Sequence, residues 1–463
     1  MSLPPRGSAR RPGPRVPVIT AAQDPARRLA RRSARVVRVA ALAAVLSVTA
    51  ACTHRLAPVS PVAPPPSVGQ HLTDTAAAAY PETISFADGT LPELSYREFE
   101  LPPGVNIADR TDRLAAYALN DLGFRHPVFG LLDLRTGVSR VVLRRGVNEQ
   151  RGYATLTPKL SDSWMTWEEV SPDETTDPNN SQWALYAARV DADKLTLGKP
   201  ILVDSGVTNY KLRPHYAVLG STVYWSVNMR PGPHQEDFPR SASICALDVS
   251  TGARKVLRET STSYPTLCAA DGLLSATEIV SPTLAHRVQV LLIDPDTGDL
   301  VLARDLNNTW RVSHFVRASR GWLAWAVQPA DGAEWPSLYV APRNQPASAT
   351  AGTLSREDVF MAGIESIDPA FFGPYLAFES VEASSGGSMG GVTSRARRIW
   401  VADLEHRTRS VLLETRDDHA GGWWQTCASS RRTQGLLLWN DLGPWVEDQT
   451  HAKTLVRLYV PAH

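Results

Sequence analysis

The chain has 463 residues, of which 43% are apolar and 21% charged, a composition typical of folded domains and not of a disordered protein. Its 35 prolines and 30 glycines interrupt the sequence too often for long helices, which argues against a helical bundle or coiled coil. The net charge is +1, but residues 1–38 hold ten arginines and one acid, so 38 basic and 46 acidic residues remain elsewhere, a net charge of −8. This balance argues against a nucleic-acid partner, because binding to phosphates requires clustered cations.

The first 51 residues have the pattern of a signal peptide with a long basic n-region. The thirteen-residue, largely apolar run Val39–Ala51 covers about 20 Å as a helix, which is short for a hydrocarbon layer of roughly 30 Å. Ala50, Ala51 and Cys52 resemble the lipobox of bacterial lipoproteins, although Thr49 departs from the usual Leu, Val or Ile. That resemblance implies an acylated Cys52 and a location at the outer face of the cytoplasmic membrane. Plain secretion and an uncleaved membrane anchor are the alternatives.

Residues 52–93 are rich in proline and have no periodicity, which predicts an extended tether between the membrane and a folded domain. From Leu94 to His463 the sequence consists of short alternating runs separated by turn residues, which is typical of β-strands. Beyond Cys52 there are three cysteines, Cys245, Cys268 and Cys427, and an odd number allows at most one internal disulfide. Cys245 and Cys268 are the nearest pair, and buried free thiols are the alternative.

A turn motif, Asp-x-x-Thr-Gly, recurs in this region. It occurs in Leu131–Leu143, Ala246–Leu257 and Leu292–Ala303, and a degenerate copy starts at Val401. Aspartate and threonine side chains can accept hydrogen bonds from the amides of a tight turn, and glycine adopts positive φ without steric cost. The motif therefore predicts hairpins between outer strands. In Asp294–Asp299 it contains three carboxylates, which could hold calcium, but the same residues are one copy of the hairpin.

A second repeat is a strand with an aromatic centre in all copies but one, spaced 48 to 61 residues apart. The central residues are Tyr117, Trp167, Trp225, Thr277, Trp325, Phe378 and Trp439. This period fits one four-stranded sheet and predicts an all-β fold, a single β-propeller of seven four-stranded blades, with six or eight blades as alternatives. The last unit lacks an outer strand, and the alternating segment Leu94–Pro102 could supply it and close the ring.

These two repeats together resemble the TolB-like, WD-type propeller lipoproteins and secreted proteins of bacteria over Leu94–His463. The resemblance implies a protein of the cell envelope that contacts other proteins. The amino-terminal domain of TolB has no counterpart in this sequence, so the role of TolB in outer-membrane maintenance is not transferred.

Aromatic residues recur just before the innermost strand of most units, together with basic residues and histidines, where propeller loops surround the channel mouth. The ligand-binding candidates are Trp423, Trp424, Trp310, Tyr264, Tyr210, Tyr153, Arg213, His215, Arg311 and His314. Such a ring could bind a peptide or sugar by stacking and hydrogen bonding. The alternative is that repeated aromatic residues pack between blades. Adjacent Trp423 and Trp424 point to opposite faces of a strand, so both cannot enter one core.

Two functions remain open on the sequence alone. The first, which we favour, is a non-catalytic binding or scaffold protein for an envelope protein, peptide or cell-wall component. The second is a secreted glycan-active hydrolase or lyase that uses channel carboxylates, for which Glu168, Glu278 and Glu379 occupy matching positions in alternate units. The histidines are scattered and form no metal-binding spacing, so the sequence predicts no catalytic residues, metal or cofactor.

Overall fold

Strands dominate the chain, and the helical content of the described residues is one 3-10 turn, Glu149–Arg151. The computed structural model describes residues 86–461 except 91, 120–126, 172–180, 209–212, 229–240, 262, 282–286, 307–315, 320, 328–336, 343–359, 366–368, 386–391, 417–423, 428–432 and 442–451. These residues belong to the compact unit Asp74–His463 and confirm the predicted all-β class. None of the helical structure within these ranges is long and apolar enough to cross a bilayer.

Two strands, β1 (Ala87–Asp88) and β2 (Leu94–Leu101), come before the first complete sheet. The strands that follow pair in antiparallel fashion into sheets, which we number I to VII in chain order. Sheet I contains β3 (Val105–Arg110), β4 (Leu114–Leu119), β5 (Val128–Asp133) and β6 (Ser139–Leu143). Sheet II contains β7 (Ala154–Leu160), β8 (Trp164–Val170), β9 (Ser181–Asp191), β10 (Thr196–Leu197) and β11 (Ile201–Thr208). Sheet III contains β12 (Tyr216–Leu219), β13 (Thr222–Asn228), β14 (Ala242–Asp248) and β15 (Arg254–Thr260).

The remaining sheets repeat the same order. Sheet IV contains β16 (Ser263–Ala270), β17 (Leu273–Ser281), β18 (Arg287–Ile293) and β19 (Leu300–Leu306). Sheet V contains β20 (Val316–Ala318), β21 (Trp322–Val327), β22 (Ser337–Pro342) and β23 (Phe360–Glu365). Sheet VI contains β24 (Ala370–Phe372), β25 (Tyr375–Ser385), β26 (Val392–Asp403) and β27 (Thr408–Arg416), with β1 beside β27. Sheet VII contains β28 (Gln425–Cys427), β29 (Leu436–Asp441) and β30 (Thr454–Pro461), with β2 beside β30.

The first strands of neighbouring sheets contact one another within the unit Asp74–His463. In chain order β3 contacts β7, β7 contacts β12, β12 contacts β16, β16 contacts β20, β20 contacts β24, and β28 contacts β3. Apolar clusters fill the space between sheets I and II, II and III, III and IV, V and VI, VI and VII, and VII and I. Between sheets IV and V, the Ser275 hydroxyl donates a hydrogen bond to the Val316 carbonyl at 3.1 Å. Sheets that stack face to face around their first strands form a β-propeller.

The predicted aromatic repeat lies on the second strand of every sheet. Its residues Tyr117, Trp167, Trp225, Thr277, Trp325, Phe378 and Trp439 are at most 6% exposed. A large ring at this position fills the space between two sheets, which explains why the residue type recurs. In sheet IV, where threonine replaces the aromatic residue, the Thr277 hydroxyl lies 2.7 Å from the hydroxyl of Thr266 on the neighbouring first strand.

The turn motif has the predicted conformation. Each aspartate carboxylate accepts hydrogen bonds from amides of its own turn, as Asp294 does from the amides of Asp296 and Thr297 at 2.8 and 3.0 Å. The glycines Gly137, Gly252 and Gly298 have φ values of +77°, +77° and +82°. In the degenerate copy Arg407 occupies the same place with φ +55°. These turns join the third and fourth strands of sheets I, III, IV and VI, as the sequence predicts.

Two of these glycines form a matched pair for a stability test. Gly252→Ala would place its Cβ in open space, so we expect a loss of about 1–2 kcal/mol from the left-handed conformation alone. Gly298→Ala has the same conformational cost, but its Cβ would also clash with the backbone carbonyl oxygen of Leu257. We therefore expect urea denaturation to show an additional loss of at least about 1 kcal/mol for Gly298→Ala. Equal losses for the two variants would contradict this geometry.

The second strand and the last strand of the described chain meet in sheet VII. Strand β2 pairs with β30 along its whole length, from Leu94 opposite Pro461 to Leu101 opposite Thr454. Two ion pairs join the strands, Glu98 with Arg457 at 2.7 Å and Glu100 with Lys453 at 2.5 Å. Strand β1 pairs in parallel with β27 at the outer edge of sheet VI, so residues 87–88 at the end of the predicted tether belong to a sheet.

Candidate functional site

The described members of the predicted aromatic ring are buried. Tyr153 precedes β7, Tyr264 lies in β16 and Trp424 precedes β28, and they are 8%, 0% and 7% exposed. Tyr153 donates a hydrogen bond to Gln182 Oε1 at 2.7 Å, and the Arg457 guanidinium lies 4.4 Å from the centre of the Trp424 ring. Such burial favours packing between sheets for these three residues. The role of the ring as a ligand site stays a prediction.

The remaining predicted site residues are distributed differently. Arg213 is half-buried and His215 is exposed, both just before β12. The backbone of His215 pairs with Ser226, whose hydroxyl accepts from the His215 amide at 3.1 Å. The candidates that lie outside the described residues are Tyr210, Trp310, Arg311, His314, Trp423 and the predicted lipidation site Cys52.

The carboxylates considered for glycan chemistry lie on second strands, one strand away from the centre. Glu168 is in β8 of sheet II, Glu278 in β17 of sheet IV and Glu379 in β25 of sheet VI. Glu278 accepts a hydrogen bond from the Thr260 hydroxyl, and Glu379 lies 3.9 Å from the Arg397 guanidinium. Both carboxylates therefore have partners within the protein, and their use in glycan chemistry stays a prediction.

Asp109, on the first strand of sheet I, is a buried charged residue that no sequence pattern indicates. Asp109 of β3 is 3% exposed, and its carboxylate accepts from the amides of Arg110 and Leu160, both at 2.8 Å. Burial raises the pKa of Asp109, although the charges of Lys159 and Arg317 oppose this shift. A single charged residue within a short strand carries no sequence signal of burial, which is why the sequence does not indicate Asp109.

The three described cysteines are free thiols, so Cys245 and Cys268 do not form the disulfide considered from the sequence. Cys245 lies in β14 and is buried, and its burial raises the pKa of the thiol to about 11. No group of three or more His, Cys, Asp or Glu side chains within the described ranges is arranged to hold a metal ion.

A polar cleft opens between sheets III and IV, with a volume of about 550 Å³. Three turns form its walls: Leu219–Thr222 between β12 and β13, Asp271–Gly272 between β16 and β17, and Pro295–Asp296 between β18 and β19. Tyr224 also lines the cleft and is 3% exposed, and its hydroxyl donates to the Pro295 carbonyl at 3.4 Å. Hydroxyl and carboxylate groups therefore line a concave surface.

Acidic side chains lie in and beside this cleft. Burial, together with the nearby carboxylates of Asp296, Asp294 and Asp248, raises the pKa of Tyr224 to about 12. The pKa of Asp248 is lowered to about 2, chiefly by hydrogen bonds from the side chain and amide of Ser250. Amide hydrogen bonds also lower the pKa of Asp294. Both carboxylates are therefore ionised at neutral pH.

Lys255 contributes an opposing positive charge beside the cleft. Its ammonium donates a hydrogen bond to the backbone carbonyl of Asp296 and lowers the pKa of Asp294. The first and third of the turns that form the cleft are more than 70 positions apart in the sequence. The acidic run around Asp294 is the part of this site that sequence reasoning noticed, as a calcium candidate.

No protein-family model and no curated protein sequence matches the chain. Among solved structures it is similar to a prolyl endopeptidase, with 12% identity and a TM-score of 0.47, over 74% of this chain and 45% of that one. It is similar to an oligogalacturonate lyase in complex with manganese, with 12% identity and a TM-score of 0.43, over 81% and 99%. TolB from Acinetobacter baumannii is another neighbour, with 11% identity and a TM-score of 0.32, over 79% and 83%. The chain thus spans less than half the length of the endopeptidase.

Proposed function

We propose that the chain is an exported, membrane-tethered β-propeller that binds a protein, peptide or cell-wall component without catalysing a reaction. The observation that carries this proposal is the polar cleft between sheets III and IV. A concave surface with convergent hydroxyl and carboxylate groups suits recognition of a polar ligand. The resemblance of the sequence repeats to envelope propellers supports the same class of function.

The proposed architecture is a closed ring of seven blades, one for each sheet. The pairing of β2 with β30 supports it, as does the apolar cluster between sheets VII and I. A buried polar link crosses the same junction, where the Arg110 guanidinium donates to the Thr433 hydroxyl and the Gly435 carbonyl. A closed ring leaves no terminal blade with an unpacked apolar face, which is the physical reason to expect it.

The proposed location is the outer face of the cytoplasmic membrane, through an acylated Cys52, with plain secretion as the alternative. The signal pattern of residues 1–51 and the proline-rich residues 52–93 support it. A net charge of −8 outside residues 1–38 gives the rest of the chain a surface that repels nucleic acid.

The cleft favours a cationic group on its ligand, such as a lysine or arginine side chain of a partner protein. Asp271 and Asp296 line the cleft, and Asp248 and Asp294 add negative charge close to Tyr224. An ammonium or guanidinium group can donate hydrogen bonds to the carboxylates and to the oxygens of Ser221 and Thr222. Because the cleft is open to solvent, each ion pair should contribute modestly.

A pair of peptides tests this proposal: a five-residue peptide with one central lysine, and the same peptide with the lysine acetylated. We expect titration calorimetry to show that the chain binds the lysine peptide about tenfold more tightly. The variant Asp271→Asn with Asp296→Asn should lose this preference. The control Asp299→Asn with Asp193→Asn, which removes two charges outside the cleft lining, should keep it. Equal binding of both peptides to the unchanged chain would refute the cleft as a cation site.

A glycan-active hydrolase or lyase is the second candidate, and Asp109 is the observation that favours it. A buried carboxyl group with a raised pKa, near the charges of Lys159 and Arg317, has the properties of a proton donor. Incubation of the chain with neutral and uronic-acid polysaccharides would test this, with chromatography of the products. Cleavage that disappears in Asp109→Asn, with the melting temperature unchanged, would favour the enzyme over the binding protein.

A further inference from the structure

The outer edge of sheet VI is occupied by a short segment that precedes the propeller strands. Strand β1 lies parallel to β27, with Ala87 opposite Thr408 and Asp88 opposite Arg409. The amide of Ala87 donates to the Arg407 carbonyl at 3.1 Å, and the amide of Gly89 donates to the Arg409 carbonyl at 2.9 Å. β1 has two residues and β27 has nine, so β1 pairs with only the first part of that edge.

Phe86 and Gly89 fit closely against this edge, and the register places Asp88 opposite a basic residue. Phe86 is 3% exposed and belongs to the apolar cluster between sheets V and VI, which also contains Trp400. Gly89 lies so close to β27 that a Cβ there would be 2.6 Å from the Cβ of Thr408. Asp88 stands opposite Arg409, whose guanidinium lies 4.4 Å from the centre of the Trp400 ring.

We propose that the edge formed by Arg407–Arg416, which we call the acceptor edge, is a binding site for an extended protein segment. Residues Phe86–Gly89 occupy it within the same chain. The partner that it fits has an aromatic residue, an acidic residue two positions later and a glycine one position after that. This inference goes beyond the proposed function, because it concerns a different part of the molecule from the cleft.

Backbone pairing and side-chain selection together support this assignment. An exposed strand edge offers amides and carbonyls in a regular row, so main-chain hydrogen bonds supply affinity for any extended segment. Selectivity then comes from the apolar cluster that receives the Phe86 ring and from position 89, where the Cβ of any residue other than glycine would clash with Thr408. Ser410 adds a hydrogen bond from its hydroxyl to the Gly89 carbonyl. Further along β27, residues 410–416 can pair with a longer partner.

The segment inside the chain must compete with any partner. Four residues, 90–93, connect Gly89 to β2, so the effective local concentration of the segment is high. The unchanged protein should therefore bind a separate segment weakly. Weakening the internal segment should increase that binding.

A displacement experiment on the full chain tests the proposal. The probe is a fluorescent peptide with the sequence of residues 84–90, Ile-Ser-Phe-Ala-Asp-Gly-Thr. The variant Phe86→Ala with Gly89→Val should bind this peptide at least about tenfold more tightly than the unchanged chain, measured by fluorescence anisotropy. Peptides with alanine in place of phenylalanine, or valine in place of glycine, should bind the variant at least about tenfold more weakly. A variant with an unchanged circular dichroism spectrum that binds the probe no better than the unchanged chain would overturn the proposal.

Hydrogen exchange supplies a second readout that does not depend on the peptide. The amides of Ala87 and Gly89 should be protected in the unchanged chain and lose their protection in the double variant. Unchanged protection in the variant would show that Phe86 and Gly89 do not determine the pairing. The lysine-peptide preference of the cleft should be equal in both proteins, so failure here is distinct from failure of the proposed function.

Discussion

Replacement of Trp167 by alanine is expected to lower the free energy of unfolding by about 3–5 kcal/mol. Trp167 is fully buried in the cluster between sheets I and II, where its ring lies 5.9 Å from that of Tyr186 in a stacked arrangement. Removal of the indole would leave a cavity that the surrounding strands can fill only in part. Urea denaturation followed by circular dichroism measures the loss.

The same substitution should loosen the segment between sheets I and II. The Trp167 indole donates to Glu169 Oε1 at 3.0 Å. Glu169 is fully buried and also accepts from the amides of Val147 and Asn148, at 2.6 and 2.8 Å. Without the indole, this carboxylate loses a donor and a neighbour that restricts its position. Hydrogen exchange at Val147 and Asn148 should therefore become faster in Trp167→Ala.

Two matched variants separate packing from general effects of mutation. Trp167→Phe keeps an aromatic ring and loses the N–H donor, so its stability should lie between those of the unchanged chain and Trp167→Ala. Val138→Ala changes a side chain that is 57% exposed and should alter stability by less than about 0.5 kcal/mol. A Trp167→Ala variant as stable as Val138→Ala would contradict the blade packing.

Replacement of Arg110 by alanine is expected to lower the free energy of unfolding by about 3 kcal/mol. Arg110 is 1% exposed, and its guanidinium joins sheet I to Thr433 and Gly435 before β29. Burial lowers the pKa of Arg110, which reflects the cost of desolvating its charge. The substitution removes that cost, but it also removes hydrogen bonds from a charged donor and leaves a cavity, and we expect these losses to dominate.

Arg140→Ala is the control for this variant. Arg140 is exposed and donates to the Lys194 carbonyl at 3.2 Å, so its removal should change stability by less than about 0.5 kcal/mol. Limited proteolysis should release fragments from the two ends of the described chain sooner in Arg110→Ala than in Arg140→Ala. Identical melting temperatures for the two variants would show that the buried link contributes nothing to the junction.

The repeated parts of the fold could be predicted from the sequence because the same local pattern of strand and turn residues recurs in successive sheets. Six of the seven sheets bury an aromatic residue on the second strand, and the sequence shows this pattern at Trp225 and Trp325 without any knowledge of their partners. The Asp-x-x-Thr-Gly turns are equally local, since Asp294 hydrogen-bonds to amides within three residues. The segment Leu94–Pro102 alternates as an amphipathic strand and is β2 in the structure.

The candidate sites could not be predicted in the same way, because their contacts are long-range. Arg110 and Thr433 are 323 residues apart, and no pattern in the sequence links them. The cleft is formed by turns of two sheets. The sequence indicates each turn, but it does not indicate that these turns lie close together. Strand β1 has two residues, too few for a periodic signal, and it pairs with a strand more than 300 residues away.

The closed ring can be tested most directly by zero-length carbodiimide crosslinking and mass spectrometry. Lys453 Nζ lies 2.5 Å from Glu100 Oε1, and the chain has six lysines, so a crosslinked peptide that joins residues 100 and 453 would be unambiguous. The Lys194–Asp191 pair, at 3.0 Å within one turn, serves as the positive control. A closed propeller predicts both crosslinks in the folded chain. Recovery of the Lys194–Asp191 link without the Glu100–Lys453 link would contradict it.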